Sequence, residues 1–182
     1  MSRVGNGVAV LLGAAALGVM MSTVPDYNSS FQPFTVSADR NGIGEGRFFK
    51  AELLGLQTAD VISYAQFDQE ISRDTSAVFL IADLSITGRT QSRQLDAVWF
   101  GATGRQYIQT TRVQDAPKVL VSARFEPDLT DRVVAIFELP PDEIVGGHLG
   151  VASRHSMVGD HVVRFAGPTA MPQKQAVLRL EP

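Results

Sequence analysis

The sequence predicts an all-β domain, an antiparallel β-sandwich of two sheets, that follows one N-terminal transmembrane helix. Residues 47–182 alternate apolar and polar side chains in short stretches, which is the pattern of half-buried strands. Turn residues separate these stretches, and no amphipathic helical pattern longer than about ten residues occurs there. No charged residue lies between Arg3 and Asp26, so the chain begins with a segment of the kind that enters a bilayer.

Residues 4–24 are predicted to form the helix. They are 21 mostly apolar or small residues, which as a helix would span about 30 Å, the thickness of the hydrocarbon core of a bilayer. A cleaved secretory signal is the competing interpretation, because the three alanines at residues 14–16 suit signal peptidase. Only residues 8–13 would then form the apolar core, and the apolar stretch continues beyond the alanines. We therefore expect residues 1–24 to be an uncleaved signal anchor.

The charges that flank this segment set its expected orientation. Arg3 and the amino terminus lie before it, and Asp26 is the first charge after it, so the positive-inside bias puts the N-terminus in the cytoplasm. The expected location is the inner (cytoplasmic) membrane, crossed once, with the C-terminal domain in the periplasm or outside the cell. Ala14 and Gly18 form a small-xxx-small pair that permits close packing with another helix, although such pairs are common by chance where alanine and glycine are frequent.

Residues 25–46 are predicted to be a tether, because prolines, serines, asparagines and glycines concentrate there. Phe31, Phe34 and Val36 are suited to pin part of the tether to the domain as a short edge strand. The domain itself is expected over residues 47–182, and it begins with two extended segments within residues 47–67.

The clearest strand covers residues 77–87. Its N-terminal half is apolar on both faces, as expected for a central strand. Apolar side chains alternate on one face of the whole strand: Val78, Leu80, Ala82, Leu84 and Ile86.

Further strands follow at turn-separated intervals. Leu95, Ala97 and Trp99 share one face of the strand at 94–100, which a turn joins to its hairpin partner at 105–110. Another strand alternates Val133, Ala135, Phe137 and Leu139 and ends at Pro140. The last group covers residues 148–153, 161–166 and 176–180. Such a set of short strands suits a two-sheet sandwich, with a closed barrel as the alternative.

The order of these elements resembles that of telokin-like, immunoglobulin-like domains found behind a signal or anchor segment in many bacterial surface proteins. The resemblance covers residues 47–155. In that family a Gly-x-x-Tyr element closes a hairpin, here Gly104 to Tyr107, and a strand ending in Phe-x-x-Pro crosses the core, here Phe137 to Pro140. Pro127-Asp128 departs from the Pro-Gly turn that is usual in the family. The resemblance implies an immunoglobulin-like sandwich outside the cytoplasm, and it implies no shared reaction.

Composition excludes several functional classes. The formal net charge is −3, and a weakly acidic chain lacks the basic surface that a nucleic-acid-binding protein needs. The chain contains no cysteine, so thiol catalysis, cysteine-ligated zinc and iron–sulfur clusters are excluded. No cofactor is expected, whereas a small-molecule ligand stays open.

No group of residues matches a catalytic motif. His148, His155 and His161, with Asp160, are the strongest candidates for a metal or acid–base cluster. Three surface or turn histidines are the simpler interpretation, because the first and last lie in predicted strands and the middle one in a turn. The acids at 126–128 and 142–143 flank turn residues, where solvated carboxylates are common. Ser153 and its neighbours form neither Gly-x-Ser-x-Gly nor Ser-x-x-Lys, so we expect that the protein is not an enzyme.

Three apolar side chains form a candidate partner face. Phe79, Ile81 and Phe100 lie on the strand face opposite to the clearest apolar set. If that face of the sheet is open, they form a patch suited to a partner protein. If both faces of the sheet are covered, the three side chains belong to the core.

The function expected from these observations is a non-enzymatic, membrane-anchored interaction domain. It would be an accessory or scaffold subunit of a membrane protein complex, such as a transporter or an envelope assembly. Its partner would be an integral membrane protein, contacted through the helix, an edge strand or the face of Phe79 and Phe100. The alternatives are a ligand- or cell-wall-binding module with its site in loops 101–106 and 154–160, and a hydrolase with an unrecognised site.

Overall fold

In the computed structural model the described residues are 3–23, 34–67, 69–154 and 160–181. The chain divides into two compact units, Met1–Gln32 and Pro33–Pro182. The first unit contains helix α1 (Arg3–Thr23), in which Gly7 and residues 12–22 are exposed. Within the part of the chain whose residues are described, no helix has both the length and the apolar character needed to cross a membrane.

The second unit is a β-sandwich, which confirms the predicted class of fold. Its described residues form two sheets, with strand order β1-β9-β8-β5-β6 in sheet A and β10-β3-β4-β7 in sheet B, where β2 also pairs with β3. The strands are β1 (Phe34–Ser37), β2 (Ile43–Glu45), β3 (Phe49–Gln66), β4 (Gln69–Gly88), β5 (Leu95–Phe100), β6 (Gln106–Ile108), β7 (Thr130–Leu139), β8 (His148–Ser153), β9 (His161–Ala166) and β10 (Gln173–Leu180). Short 3₁₀ turns lie at Thr111–Val113, Leu120–Ser122 and Pro141–Glu143.

Most strand pairs are antiparallel, as predicted, and two pairs at the sheet edges are parallel. β1 runs parallel to β9, and β10 runs parallel to β3. Each partner is distant in sequence, as a parallel pair requires, because its strands cannot be joined by a tight hairpin.

The main core lies between the two sheets. The alternating apolar residues of β4, β5 and β7 point into this core, as the sequence predicts. Examples are Leu80, Trp99 and Phe137, which are each fully buried. β8 and β9 complete the layer from sheet A with Leu149, Val151, Val163 and Phe165.

The sandwich begins earlier than residue 47. β1 and β2 lie within the stretch 25–46 that the sequence assigns to a tether, and they pair with β9 and β3. β2 approaches β9 so closely that position 44 needs a glycine, because a Cβ on Gly44 would lie 2.2 Å from Cγ1 of Val163. Gly44, one of the glycines that suggest a flexible tether, is therefore a packing position of the domain.

Sheet B bends sharply near Asp60. Four residues of β4, 75–78, intervene between the partners of Ala59 and Val61, which makes a large bulge. Leu180 pairs with Tyr64, seven positions along β3 from Gln57, the partner of Ile81. On a flat sheet that separation is about 23 Å. Leu180 nevertheless lines one cavity with Asp83 of β4 and Val134 of β7. The end of the sheet beyond the bulge therefore folds back over its outer face.

A second core fills the space beneath this fold. It joins Phe79 and Ile81 of β4 to Leu178 and Leu180 of β10. The segment at 109–124, which carries two of the 3₁₀ turns, contributes the remaining cover with Val113, Ala116 and Val119. The part of the outer face of sheet B around Phe79 and Ile81 is therefore covered by the chain itself.

Candidate functional site

The structure corrects the predicted partner face of Phe79, Ile81 and Phe100. Phe79 and Ile81 are each 0% exposed, because the folded-back end of sheet B and the segment at 109–124 cover them. They are core residues and offer no surface to a partner. Phe100 lies in β5 of the other sheet, so the three side chains never form one patch.

Phe100 instead contributes to the outer face of sheet A, the opposite side of the sandwich. Its neighbour Trp99 points into the main core, so Phe100 points outward. The ring is half-buried and stacks on the imidazole of its directly paired residue His148, with ring centroids 4.7 Å apart and planes at 5°. A Cβ on Gly150 would lie 3.0 Å from the Phe100 ring, so the missing side chain of this glycine lets the ring lie flat over β8.

A shallow depression of about 210 Å³ lies around this ring pair. It is lined by Thr35, Phe100, His148, Gly150, Val162 and Arg164, which come from four neighbouring strands. Arg164 is exposed, whereas Val162 is half-buried. The depression therefore combines an apolar floor with one cation at its rim, and among the described residues no chain segment covers it.

A second groove of about 330 Å³ lies where β5 meets β6. Its lining is mainly apolar and includes Val98, Ile108 and Val121, with Asp96 and Thr111 beside them. Ile108 is 75% exposed, although it lies opposite Val98 in the sheet. Ile108 therefore adds an exposed aliphatic side chain to the outer face of sheet A, in a groove separate from the Phe100 depression.

The imidazole of His148 is held neutral at this face. Burial lowers the pKa of His148 below its ordinary value of 6.5, and the nearby positive charge of Arg164 lowers it further. A neutral imidazole can stack on Phe100 without the cost of desolvating a charge. The face is therefore more apolar at neutral pH than its histidine suggests.

The turn at 101–104, in one of the two candidate ligand loops, is held closed by a buried carboxylate. Glu143 is 2% exposed and accepts hydrogen bonds from the backbone N–H of Thr103 at 3.0 Å and from its hydroxyl at 2.5 Å. The hydroxyl contact is the main cause that lowers the pKa of Glu143. The indole N–H of Trp99 donates to the Glu143 carbonyl at 3.0 Å. All of these groups are satisfied by one another, so the cluster shapes the turn.

The candidate cluster of His148, His155 and His161 does not assemble from its described members. His148 lies at the start of β8 and pairs with Ala166, whereas His161 starts β9 at the other end of the same hairpin, about 16 Å away along the strands. His155 lies outside the described residues, as does most of loop 154–160. Among described residues, no group of three or more metal-ligating side chains is close enough to hold an ion.

The carboxylates of the turn at 126–128 have structural roles. Glu126 accepts a hydrogen bond from the Ser92 hydroxyl at 2.7 Å. Asp128 has a φ of 59°, and the N–H of Leu129 closes the turn on the Glu126 carbonyl. A position with positive φ usually holds glycine, and aspartate is one of the residues that tolerate it.

Sequence reasoning missed the role of Arg154. Its guanidinium donates to Asp96 at 2.8 and 2.9 Å and to the backbone carbonyl of Val121 at 2.8 Å. The contacts fasten the segment at 109–124 to β5, and so they fix one wall of the groove beside Ile108. Arg154 belongs to a polar turn in the sequence, and no local pattern links it to residues 58 and 33 positions away.

The comparisons with known proteins identify no family. No protein-family model matches the chain, and no curated protein matches it. Among solved structures, the chain is similar to an uncharacterized β-sandwich protein from Clostridium difficile 630, with 9% identity and a TM-score of 0.46 over 73% of this chain and 95% of that one.

Proposed function

We propose that this protein is a non-enzymatic interaction subunit, held at the inner membrane by residues 1–24, with its sandwich on the periplasmic or outer side. The observation that carries the proposal comes from the sequence: no charge lies between Arg3 and Asp26. As a helix, residues 4–24 would have the length of a bilayer core. The resemblance of residues 47–155 to telokin-like, immunoglobulin-like extracytoplasmic domains supports the same location.

The partner in this proposal is an integral membrane protein, such as the core of a transporter or envelope assembly. In α1, Ala14 and Gly18 lie one turn apart and are exposed, and a Cβ on Gly18 would meet no atom within 4 Å. Small residues at this spacing let a second helix approach closely. The open outer face of sheet A, with Phe100 and Ile108, gives the domain an additional surface for the same partner.

Satisfied polar groups support a role in binding rather than in catalysis. Glu143, the most deeply buried described carboxylate, is fully engaged with Thr103, and Arg154 is engaged with Asp96. An enzyme needs reactive groups that converge on a space where a substrate fits. The open depression around Phe100 and His148 holds one half-buried imidazole and no carboxylate in its lining.

Copurification from membranes in mild detergent tests the proposal. The full chain should stay with the membrane fraction and bring down one integral membrane protein in a fixed ratio, and a chain that lacks residues 1–24 should lose both properties. Leu17→Ala, on the same helix but outside the small-residue pair, serves as the control for Gly18→Leu, which should weaken the complex. A full chain that purifies alone and behaves like the shortened chain would exclude the proposed function.

A further inference from the structure

The sheet edges of the sandwich differ in how well they are protected against pairing with another chain. An edge strand carries a row of unpaired backbone N–H and C=O groups, and proteins usually shorten, cover or charge such edges. β1 and β6, the edges of sheet A, have four and three residues. Edges of this length offer few hydrogen bonds to an added strand.

The β7 edge of sheet B is covered by the chain itself. Gln109 bridges to Phe137, and Val119 bridges to Val134. The N–H of Val134 donates to the Lys118 carbonyl at 2.9 Å. These contacts occupy the outward groups of β7 along much of its length.

The outer edge of β4 beyond the bulge is open but charged. Its residues 69–74 include Glu70, Arg73 and Asp74, which is the usual protection of an exposed edge. The Arg73 guanidinium also donates to the carbonyl of Arg112 at 3.3 Å and so lies against the segment at 109–124.

β10 is the exception among these edges. It has eight residues and pairs with β3 on one side, while on its other side no strand lies among the described residues. Its central residues 175–178 carry no charge, no proline and no bulge, and Val177 is 55% exposed. An edge of eight residues with an uncharged centre is complementary in its hydrogen bonds to an extended polypeptide that follows the bend of the sheet.

Charges near the two ends of β10 indicate the chemistry of that polypeptide. Lys174 pairs with Asp60 of the neighbouring strand at 2.9 Å. Arg179 is exposed and forms no ion pair with a described residue. An added strand with an uncharged centre and an acidic side chain opposite Arg179 would complement this edge, because opposite charges on adjacent strands stabilise the pair.

We propose that the partner protein docks on this domain by adding an extended strand of its own to the free edge of β10. The inference rests on the proposed function and specifies where and how the domain meets its partner. The strand would extend sheet B by one member, with backbone hydrogen bonds supplying affinity and the contact with Arg179 supplying selectivity.

Hydrogen exchange of the copurified complex, compared with the full chain alone, tests the site. The outward-facing amides among residues 173–180, about every second one, should exchange at least about tenfold more slowly in the complex, because they gain acceptors there. Arg179→Glu should weaken the complex about tenfold, whereas Arg73→Glu on the competing edge should leave it unchanged.

Two proline substitutions separate loss of docking from loss of folding. Successive N–H groups of a strand point to opposite edges, so of Ala176→Pro and Val177→Pro one removes an outward donor and the other removes a donor to β3. One variant should lose the partner with its melting temperature nearly unchanged, and the other should melt earlier.

The outcomes separate this inference from the proposed function. A stoichiometric partner that protects only the outer face of sheet A, with exchange of β10 unchanged, would overturn the docking edge and leave the proposed function standing. If the full chain pairs with a second copy of itself through β10, the proposal that a strand of the partner protein docks there is wrong. Absence of any copurifying membrane protein would overturn both.

Discussion

Replacing Phe79 by alanine should destabilise the domain strongly, and replacing Phe100 should not. Phe79 is fully buried in the second core, between sheet B and the segment at 109–124. Truncating a buried phenylalanine costs about 3–5 kcal/mol, because apolar contact is lost and a cavity remains. For a domain of this size the melting temperature should fall by roughly 6–20 °C.

Phe100 is the matched control, because it is also a strand phenylalanine but lies on an open face. Phe100→Ala removes the stacking on His148 and the cover over Gly150, which together amount to about 1 kcal/mol. Urea unfolding of the full chain in mild detergent, followed by circular dichroism, measures both free energies. An equal or smaller loss for Phe79→Ala would refute the second core and the covering role of the segment at 109–124.

Three further predictions concern single contacts. Stability should fall in acid as the pH drops through the folded-state pKa of Glu143, because that pKa lies below the ordinary value of 4.5 and the carboxylate therefore stabilises the fold only while ionised; Glu143→Gln should flatten this part of a pH series of urea midpoints. Lys118→Gly should raise the free energy of unfolding by up to about 1 kcal/mol, since Lys118 has a φ of 55° and glycine avoids the left-handed strain at some entropic cost; a lower urea midpoint would contradict this. Arg154→Met should lower the free energy of unfolding by about 1–2 kcal/mol, because the partly exposed hydrogen bonds to Asp96 and the Val121 carbonyl are lost. Adding Asp96→Asn to this variant should recover part of the loss, because the unpaired charge is gone.

The strands of the main core could be predicted from the sequence because each records its own environment. β4, β5 and β7 alternate apolar and polar residues, and the alternation fixes which face is buried. The half of β4 that includes Phe79 and Leu80 is apolar on both faces. That pattern does not show whether the second face is covered, so it is consistent with an exposed patch and with a buried core.

The segment at 109–124 and the bend of sheet B had no comparable signal. The buried apolar residues of the segment, Val113, Ala116 and Leu120, have the spacing of one helix face. The structure instead holds the segment with short 3₁₀ turns and single bridges, so the spacing does not show its conformation. The bend depends on a bulge between two strands, and one strand alone does not show how its partner is aligned. Arg154 reaches its acceptors across the fold, and only the structure brings them together.

The most direct test of the central claim is the composition of the native complex, measured by mass spectrometry after extraction in mild detergent. The account predicts one copy of this chain, with residues 1–24 still attached, in a fixed ratio to an integral membrane protein. A chain that lacks its first 24 residues, or an intact chain recovered alone under conditions that preserve other membrane complexes, would contradict it.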